Sequence, residues 1–219
     1  MSRFYRFYHY LAKVLFWLLT RRVRVRGVYN VPRSGPAILI SNHLSYSDPA
    51  SIIGFVPRQV FFMAKSEMFD GGFMDWVVTK AEAFPVKRGQ IDMDAMRHAV
   101  AILKRGDLLG IYPEGTRSNS HRIREGRAGV ITIARQSGAP IIPVAITGME
   151  HVFRRRFPWI GRPDVTITIG PPVTLAELAG SDPRQADREQ LAGAAMERIA
   201  RLLPPDYQSP PLPASLPQP

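Results

Sequence analysis

The chain has no cysteine, which excludes disulfide staples, thiolate zinc sites and a cysteine nucleophile. From Met1 to Ser47 it has no acidic residue, while Arg3, Arg6, Lys13, Arg21, Arg22, Arg24, Arg26 and Arg33 all fall in that span. It has no apolar run of the roughly 20 residues that a bilayer-spanning helix needs. The nearest candidate, Tyr8 to Leu19, is interrupted by His9 and Lys13. His98, His121 and His151 belong to no motif that would supply a metal with further ligands, which argues against a metallohydrolase. There is no internal repeat and no sign of a second domain.

What is present fits one ordinary globular domain: 219 residues, 45% hydrophobic and 21% charged. The formal charge of +11 calls for an anionic partner, whether nucleic acid, membrane or acidic small molecule. A nucleic-acid binder should gather its cations on a recognition helix or a stacking sheet. Here they flank apolar aromatic sequence instead, which points to a membrane surface with anionic lipid and away from nucleic acid. The opening "MSRFYRFYHYLAKVLFWLLTRR" has the basic start and apolar middle of a signal peptide, but no small-residue cleavage site follows. On a helix Phe4, Tyr8, Leu11, Leu15 and Leu18 share one face, with Arg3, Arg6 and Lys13 mostly away from it. Two covers suit that face: an anionic lipid interface, or the protein's own domain. The expected organisation is an interfacial segment over 1–24, one domain over 25–203 and a disordered Pro-rich tail over 204–219, where seven of sixteen residues are proline.

Within the domain, "AILIS" (37–41), "VFFMA" (60–64), "AFPV" (83–86), "LLGIY" (108–112), "IIPVAIT" (141–147) and "DVTITIG" (164–170) read as strands. The spacing predicts helices from Asp92 as N-cap to about Gly106, from about Gly126 to Gln136, and from Pro183, after Asp182 as N-cap, to about Leu203. Strand and helix in turn imply an α/β fold, a mixed sheet flanked by helices.

Two loops carry the chemistry. "SNHLSYSD" follows a strand and sets His43 five residues before Asp48. One reading is a base with its orienting carboxylate; the other is a polar turn in which Asp48 caps a helix whose first residue is Pro49. A spacing of five is not a helix-face spacing, so the pair can meet only through a turn. "IYPEGTRS" (111–118) follows another strand with a carboxylate, a glycine, a cation and hydroxyls in one tight turn, a composition suited to an anion.

In this order, "NHLSYSD", "AFPVKRG", "YPEGTRS" and "APIIPVAITG" resemble the four motif blocks of the lysophosphatidic acid acyltransferase family, the 1-acylglycerol-3-phosphate O-acyltransferases, over roughly Val25 to Val173. The resemblance implies that His43 is the general base and that Asp48 orients it. It implies that Arg88 and the turn of Glu114, Gly115, Thr116 and Arg117 hold the acceptor phosphate, with Lys65 a further basic residue near the acceptor. Pro143 would lie near the acyl donor, acyl-coenzyme A or acyl-carrier protein; no cofactor or metal is implied, and the acceptor is a lysophospholipid. The expected location is the cytoplasmic face of the cell membrane. Three positions depart from the family: Glu82 for a glycine, Lys87 for an acidic residue and Tyr112 for a phenylalanine.

The chemistry agrees with that resemblance. Moving an acyl group from a thioester to an alcohol requires the hydroxyl proton to leave as the oxygen attacks, a task for a neutral imidazole near neutral pH. No G-x-S-x-G elbow surrounds Ser45 or Ser47, which argues for direct transfer over a serine nucleophile. "SIIGFV", "QVFFMA" and "FMDWVV" are candidate walls of an apolar acyl tunnel. Arg154 to Arg156, beside Phe153 and Trp159, are a candidate contact for donor or membrane.

Overall fold

In the computed structural model of the chain, the described residues are 2–87, 92–118, 120–152, 162–180 and 182–208. Seven strands form one sheet: β1 (Arg22–Arg26), β2 (Ala37–Ser41), β3 (Val60–Lys65), β4 (Ala83–Val86), β5 (Leu108–Ile111), β6 (Ile141–Thr147) and β7 (Asp164–Ile169). Their order is β1-β7-β6-β2-β5-β3-β4. All neighbours are parallel except β6 and β7. The central strand β2 is buried along its whole length, as a parallel strand covered on both faces should be. Ile38 and Ile40 pack toward the helices α4 (Met93–Lys104), α5 (Gly129–Ser137) and α7 (Arg188–Ala200). Ala37 and Leu39 pack on the opposite face with α1 (Arg3–Leu19) and α2 (Asp48–Phe55). Two short helices, α3 (Phe73–Lys80) and α6 (Leu175–Ala179), complete the α/β fold.

The basic stretch "RVRVR" is a strand, not only a charged patch. Val23 and Val25 pack into the core while Arg22 and Arg26 are exposed, and Arg22 pairs in register with Asp164. The boundary expected after residue 24 therefore falls inside β1. Two helix starts also differ. α7 begins at Arg188, with Asp187 accepting from the Gln190 amide, because Asp187 lies directly ahead of the buried stripe Leu191, Ala195 and Ile199. Asp182 instead closes a turn onto the Arg184 amide. α5 begins at Gly129, because the Arg127 amide donates to the Pro113 carbonyl and holds the preceding residues on the "YPEGTRS" loop. The expected tail starts late as well. Pro205–Tyr207 is a 3-10 turn, the Ile123 amide donates to the Tyr207 carbonyl, and the Tyr207 hydroxyl donates to Glu150 Oε1 at 2.5 Å. Residues 209–219 lie outside the described residues, as do Arg88 and Arg154 to Arg156.

Helix α1 docks one face on the domain and leaves another exposed. Tyr5, Ala12 and Phe16 are buried against the domain; the Tyr5 hydroxyl accepts from the Val60 amide at 2.9 Å, and His9 Nδ1 bonds the Ile53 carbonyl at 2.8 Å. On the other side Phe4, Phe7, Leu11, Val14, Leu15 and Leu18 are exposed, flanked by Trp17. The exposed Phe73, Met74 and Trp76 of α3 extend this surface, with Trp76 against Tyr8 and Lys80 over the Phe4 ring. Among the described residues no helix is long and apolar enough to cross a membrane.

Candidate active site

The carboxyl ends of β2 and β5 are neighbours, so the two motif loops that follow them meet. Asn42 fixes the first loop to β6: its amide nitrogen donates to the Ile146 carbonyl at 2.9 Å and its oxygen accepts from the Ile146 N–H at 2.8 Å. The turn then folds back so that His43 Nδ1 and Asp48 Oδ2 stand 2.8 Å apart. The same oxygen accepts from the Leu44 and Ser45 amides at 2.7 and 2.8 Å. Asp48 is fully buried and occupies the first position of α2, with Ser47 as N-cap and Pro49 second. Its side chain thus closes the five-residue turn rather than capping the helix. The Ser45 and Ser47 hydroxyls bond each other at 2.9 Å.

The second loop holds the His43 backbone by two hydrogen bonds. The His43 N–H donates to Glu114 Oε1 at 3.2 Å, and the His43 carbonyl accepts from the Ser118 N–H at 2.8 Å. Tyr112, at the end of β5, stacks on the imidazole with centroids 4.2 Å apart and planes inclined by 21°. Gly115 has φ of +72°, a conformation that favours glycine, and a Cβ there would meet Arg127 Nε at 2.9 Å. Thr116 accepts from Arg124 Nη1 at 2.9 Å.

These contacts change the expected role of Glu114. A buried carboxylate would repel a phosphate; here it is turned inward and holds the His43 backbone. Burial pushes its carboxyl up from the ordinary 4.5 to about 7, against the opposing pull of the His43 N–H and Arg124, with Asp48 adding to the rise. Between those two values the folded protein keeps a proton that the unfolded chain has released. The resulting stabilisation is complete below about 4.5 and is lost as pH rises through 7. Glu114→Gln keeps an acceptor for the His43 N–H and removes the titration. The variant is expected to show a smaller fall in melting temperature between pH 5 and 8 than the parent, and equal slopes in the two proteins would contradict this placement.

The other expected site residues divide. Arg117 is exposed at the loop surface, with its guanidinium over the Tyr46 ring. Lys65 ends β3, in register with Val86, but its ammonium pairs with Glu67 at 2.7 Å. Pro143 is not brought to the site: it is buried within β6, opposite Ile40, and its carbonyl accepts from the Gly170 amide. Beside Tyr112 opens a cavity of about 430 Å³, walled by Met63, Met96, Ile111, Val130 and Ile133, with Lys87 and Arg127 also lining it. Of the expected tunnel walls only Met63 lines this cavity; Ile52, Val56 and Phe62 are core, and Trp76 is exposed. Asn42, Tyr112, Arg124 and Arg127 were not singled out for these contacts from sequence. Asn42 and Tyr112 open the blocks "NHLSYSD" and "YPEGTRS", which is the signal they carry; the two arginines come from the loop leading to α5.

Known proteins resemble this chain in sequence and fold. The acyltransferase family pattern matches residues 22–147. Over 178 residues the chain is 30% identical to the 1-acyl-sn-glycerol-3-phosphate acyltransferase of Bacillus subtilis, covering 78% of this chain and 85% of that protein. It is 26% identical to a chloroplastic 1-acyl-sn-glycerol-3-phosphate acyltransferase of Arabidopsis thaliana over 67% of this chain and 43% of that longer protein. The crystal structure of the 1-acyl-sn-glycerophosphate (LPA) acyltransferase from Thermotoga maritima superposes with a TM-score of 0.69 at 25% identity, covering 90% of this chain and 77% of that one.

Proposed function

This chain belongs to the acyltransferase family, and on that footing we propose that it moves a fatty acyl group from an acyl thioester to the sn-2 hydroxyl of 1-acylglycerol 3-phosphate, giving phosphatidic acid. The observation that carries the reading is the buried 2.8 Å contact between His43 Nδ1 and Asp48 Oδ2. With Nδ1–H given to Asp48, the lone pair resides on Nε2, which no described residue engages. Nε2 takes the hydroxyl proton as the acceptor oxygen attacks the thioester carbonyl carbon. The carbon–sulfur bond of the tetrahedral intermediate then breaks, and the imidazolium returns its proton to the departing thiolate. Asp48, buried and held by two amides, stabilises the imidazolium between those events. The Ser45 and Ser47 hydroxyls, engaged with each other, favour direct transfer over an acyl-enzyme.

The surroundings suit an amphiphile with an anionic head. The apolar cavity beside Tyr112, whose charged lining is Lys87, Arg127 and Asp92, suits an acyl chain, and Arg117 is exposed on the loop that follows β5, open to a phosphate group. The family resemblance implies Arg88 and Arg117 for that phosphate; Arg88 lies outside the described residues. The exposed apolar face of α1, continued by α3 and flanked by Arg3 and Arg6, seats the protein on the cytoplasmic face of a membrane as a peripheral or monotopic enzyme. The donor, acyl-coenzyme A or acyl-carrier protein, is anionic and meets the same positive surface.

Purified protein assayed with 1-acylglycerol 3-phosphate, glycerol 3-phosphate and a zwitterionic lysolipid, each against both donor types, tests this reading. The highest kcat/KM is expected with 1-acylglycerol 3-phosphate. A preference for another acceptor would overturn the substrate assignment, and no transfer to any would overturn the activity.

A further inference from the structure

The exposed arginines Arg21, Arg97, Arg105 and Arg201 are each paired with a carboxylate, and Arg124 donates to Thr116. Arg117 is held differently. Its guanidinium carbon stands 3.6 Å from the centroid of the Tyr46 ring, a cation–π stack at close range. Tyr46 lies in the middle of the His43 to Asp48 turn and is 72% exposed. A singly exposed ring is ordinary, so a role for Tyr46 needs a reason in the contact it makes.

Geometry supplies that reason. Stacking occupies the flat face of a guanidinium and leaves its edge free, and the edge carries the five N–H donors that match phosphate oxygens in pairs. A carboxylate partner would take up those donors; a ring does not. The backbone beneath Tyr46 is also fixed, since Leu44 and Ser45 both donate to Asp48 and the His43 carbonyl is tied to Ser118, the neighbour of Arg117. We propose that Tyr46 is a positioning residue, an aromatic platform that holds Arg117 edge-outward for the acceptor phosphate at a set distance from His43. The inference rests on the reading above that Arg117 meets that phosphate. It adds a consequence for selectivity. One turn carries both the proton-transfer pair and the platform, so an acceptor that engages Arg117 has its head group fixed relative to the base.

Steady-state kinetics on Tyr46→Ala, Tyr46→Leu, Tyr46→Phe, Arg117→Ala and the Tyr46→Ala/Arg117→Ala double variant test this, with 1-acylglycerol 3-phosphate and the phosphate-free 1-acylglycerol as acceptors. Loss of the platform is expected to raise KM for the phosphorylated acceptor about fivefold in the alanine and leucine variants, with kcat little changed. The phenylalanine variant should retain the parent KM, and the double variant should be no worse than Arg117→Ala alone. The kcat/KM for 1-acylglycerol should not move. If Arg117→Ala leaves KM for the phosphorylated acceptor unchanged, the phosphate assignment of Arg117 fails, and the platform with it. If Arg117→Ala raises KM and neither Tyr46→Ala nor Tyr46→Leu does, only the platform fails. Equal losses of kcat on both acceptors in the Tyr46 variants would mean that the ring supports the His43 turn, and would also overturn it.

Discussion

Replacing His43 with alanine is expected to lower acyl transfer by about 10³-fold or more, the upper part of the range for removing a general base. The fold should survive. His43 follows the carboxyl end of the central strand β2 and is largely buried, but without its ring Asp48 still receives the Leu44 and Ser45 amides. The loss of the ring that stacks on Tyr112 costs roughly 1–2 kcal/mol, a few degrees of melting temperature for a domain of this size. His43→Gln, closer in volume, separates chemistry from packing: it should melt nearer the parent and be equally inactive. Near-normal turnover by either variant would sink the mechanism.

The second large effect concerns α1, whose two faces should respond in opposite ways. Phe16 is buried between the helix and the domain, against Phe55. Phe16→Ala should therefore destabilise the fold by about 3–5 kcal/mol, seen in denaturant unfolding, without altering the exposed apolar surface. Leu11→Asp with Val14→Asp, on the exposed side, should leave unfolding unchanged and abolish co-sedimentation with anionic vesicles. Deleting the helix would mix the two effects, because the cut would also uncover the core beneath Tyr5 and Phe16. Vesicle binding that persists in the double aspartate variant would remove the interfacial role of this face.

The double duty of α1 shows why some of this molecule was legible in its sequence and some was not. The helix is apolar around most of its circumference, so periodicity could identify a helix but could not choose its inner face. Of the face Phe4, Tyr8, Leu11, Leu15 and Leu18, all are exposed except Tyr8, which is half-buried against the core; the inner face, Tyr5, Ala12 and Phe16, includes a small residue that scores weakly in any pattern. β1 was hidden for a different reason. Its alternation of arginine and valine is that of a strand, but its partner β7 comes some 140 residues later, and arginine at every second position suits a solvated stretch as well. The central strands were readable because burial on both faces leaves continuous apolar runs between turn residues.

The site divides along the same line. Spacing and residue type left His43 and Asp48 as either a base with its carboxylate or a polar turn before a helix; the family resemblance implied the pairing, and the two side chains stand 2.8 Å apart. Glu114 could be located but not given its role: the motif places it in the loop, while only the packing of β2 beside β5 turns it inward to the His43 amide. Lys65 and Pro143 show the reverse. Lys65 reaches the carboxyl edge of the sheet and is met there by Glu67, and Pro143 stays in the sheet interior.

The central claim is direct, base-assisted transfer from thioester to lysolipid by His43 and Asp48. Its most direct test is to count free thiol against phosphatidic acid for the parent and Asp48→Asn, with acyl-coenzyme A in the presence and absence of 1-acylglycerol 3-phosphate. The account predicts one phosphatidic acid per thiol in the parent, no thiol without acceptor, and a loss of about 10³-fold or more in a folded Asp48→Asn protein. Stoichiometric thiol release without acceptor, or full turnover by Asp48→Asn, would contradict it.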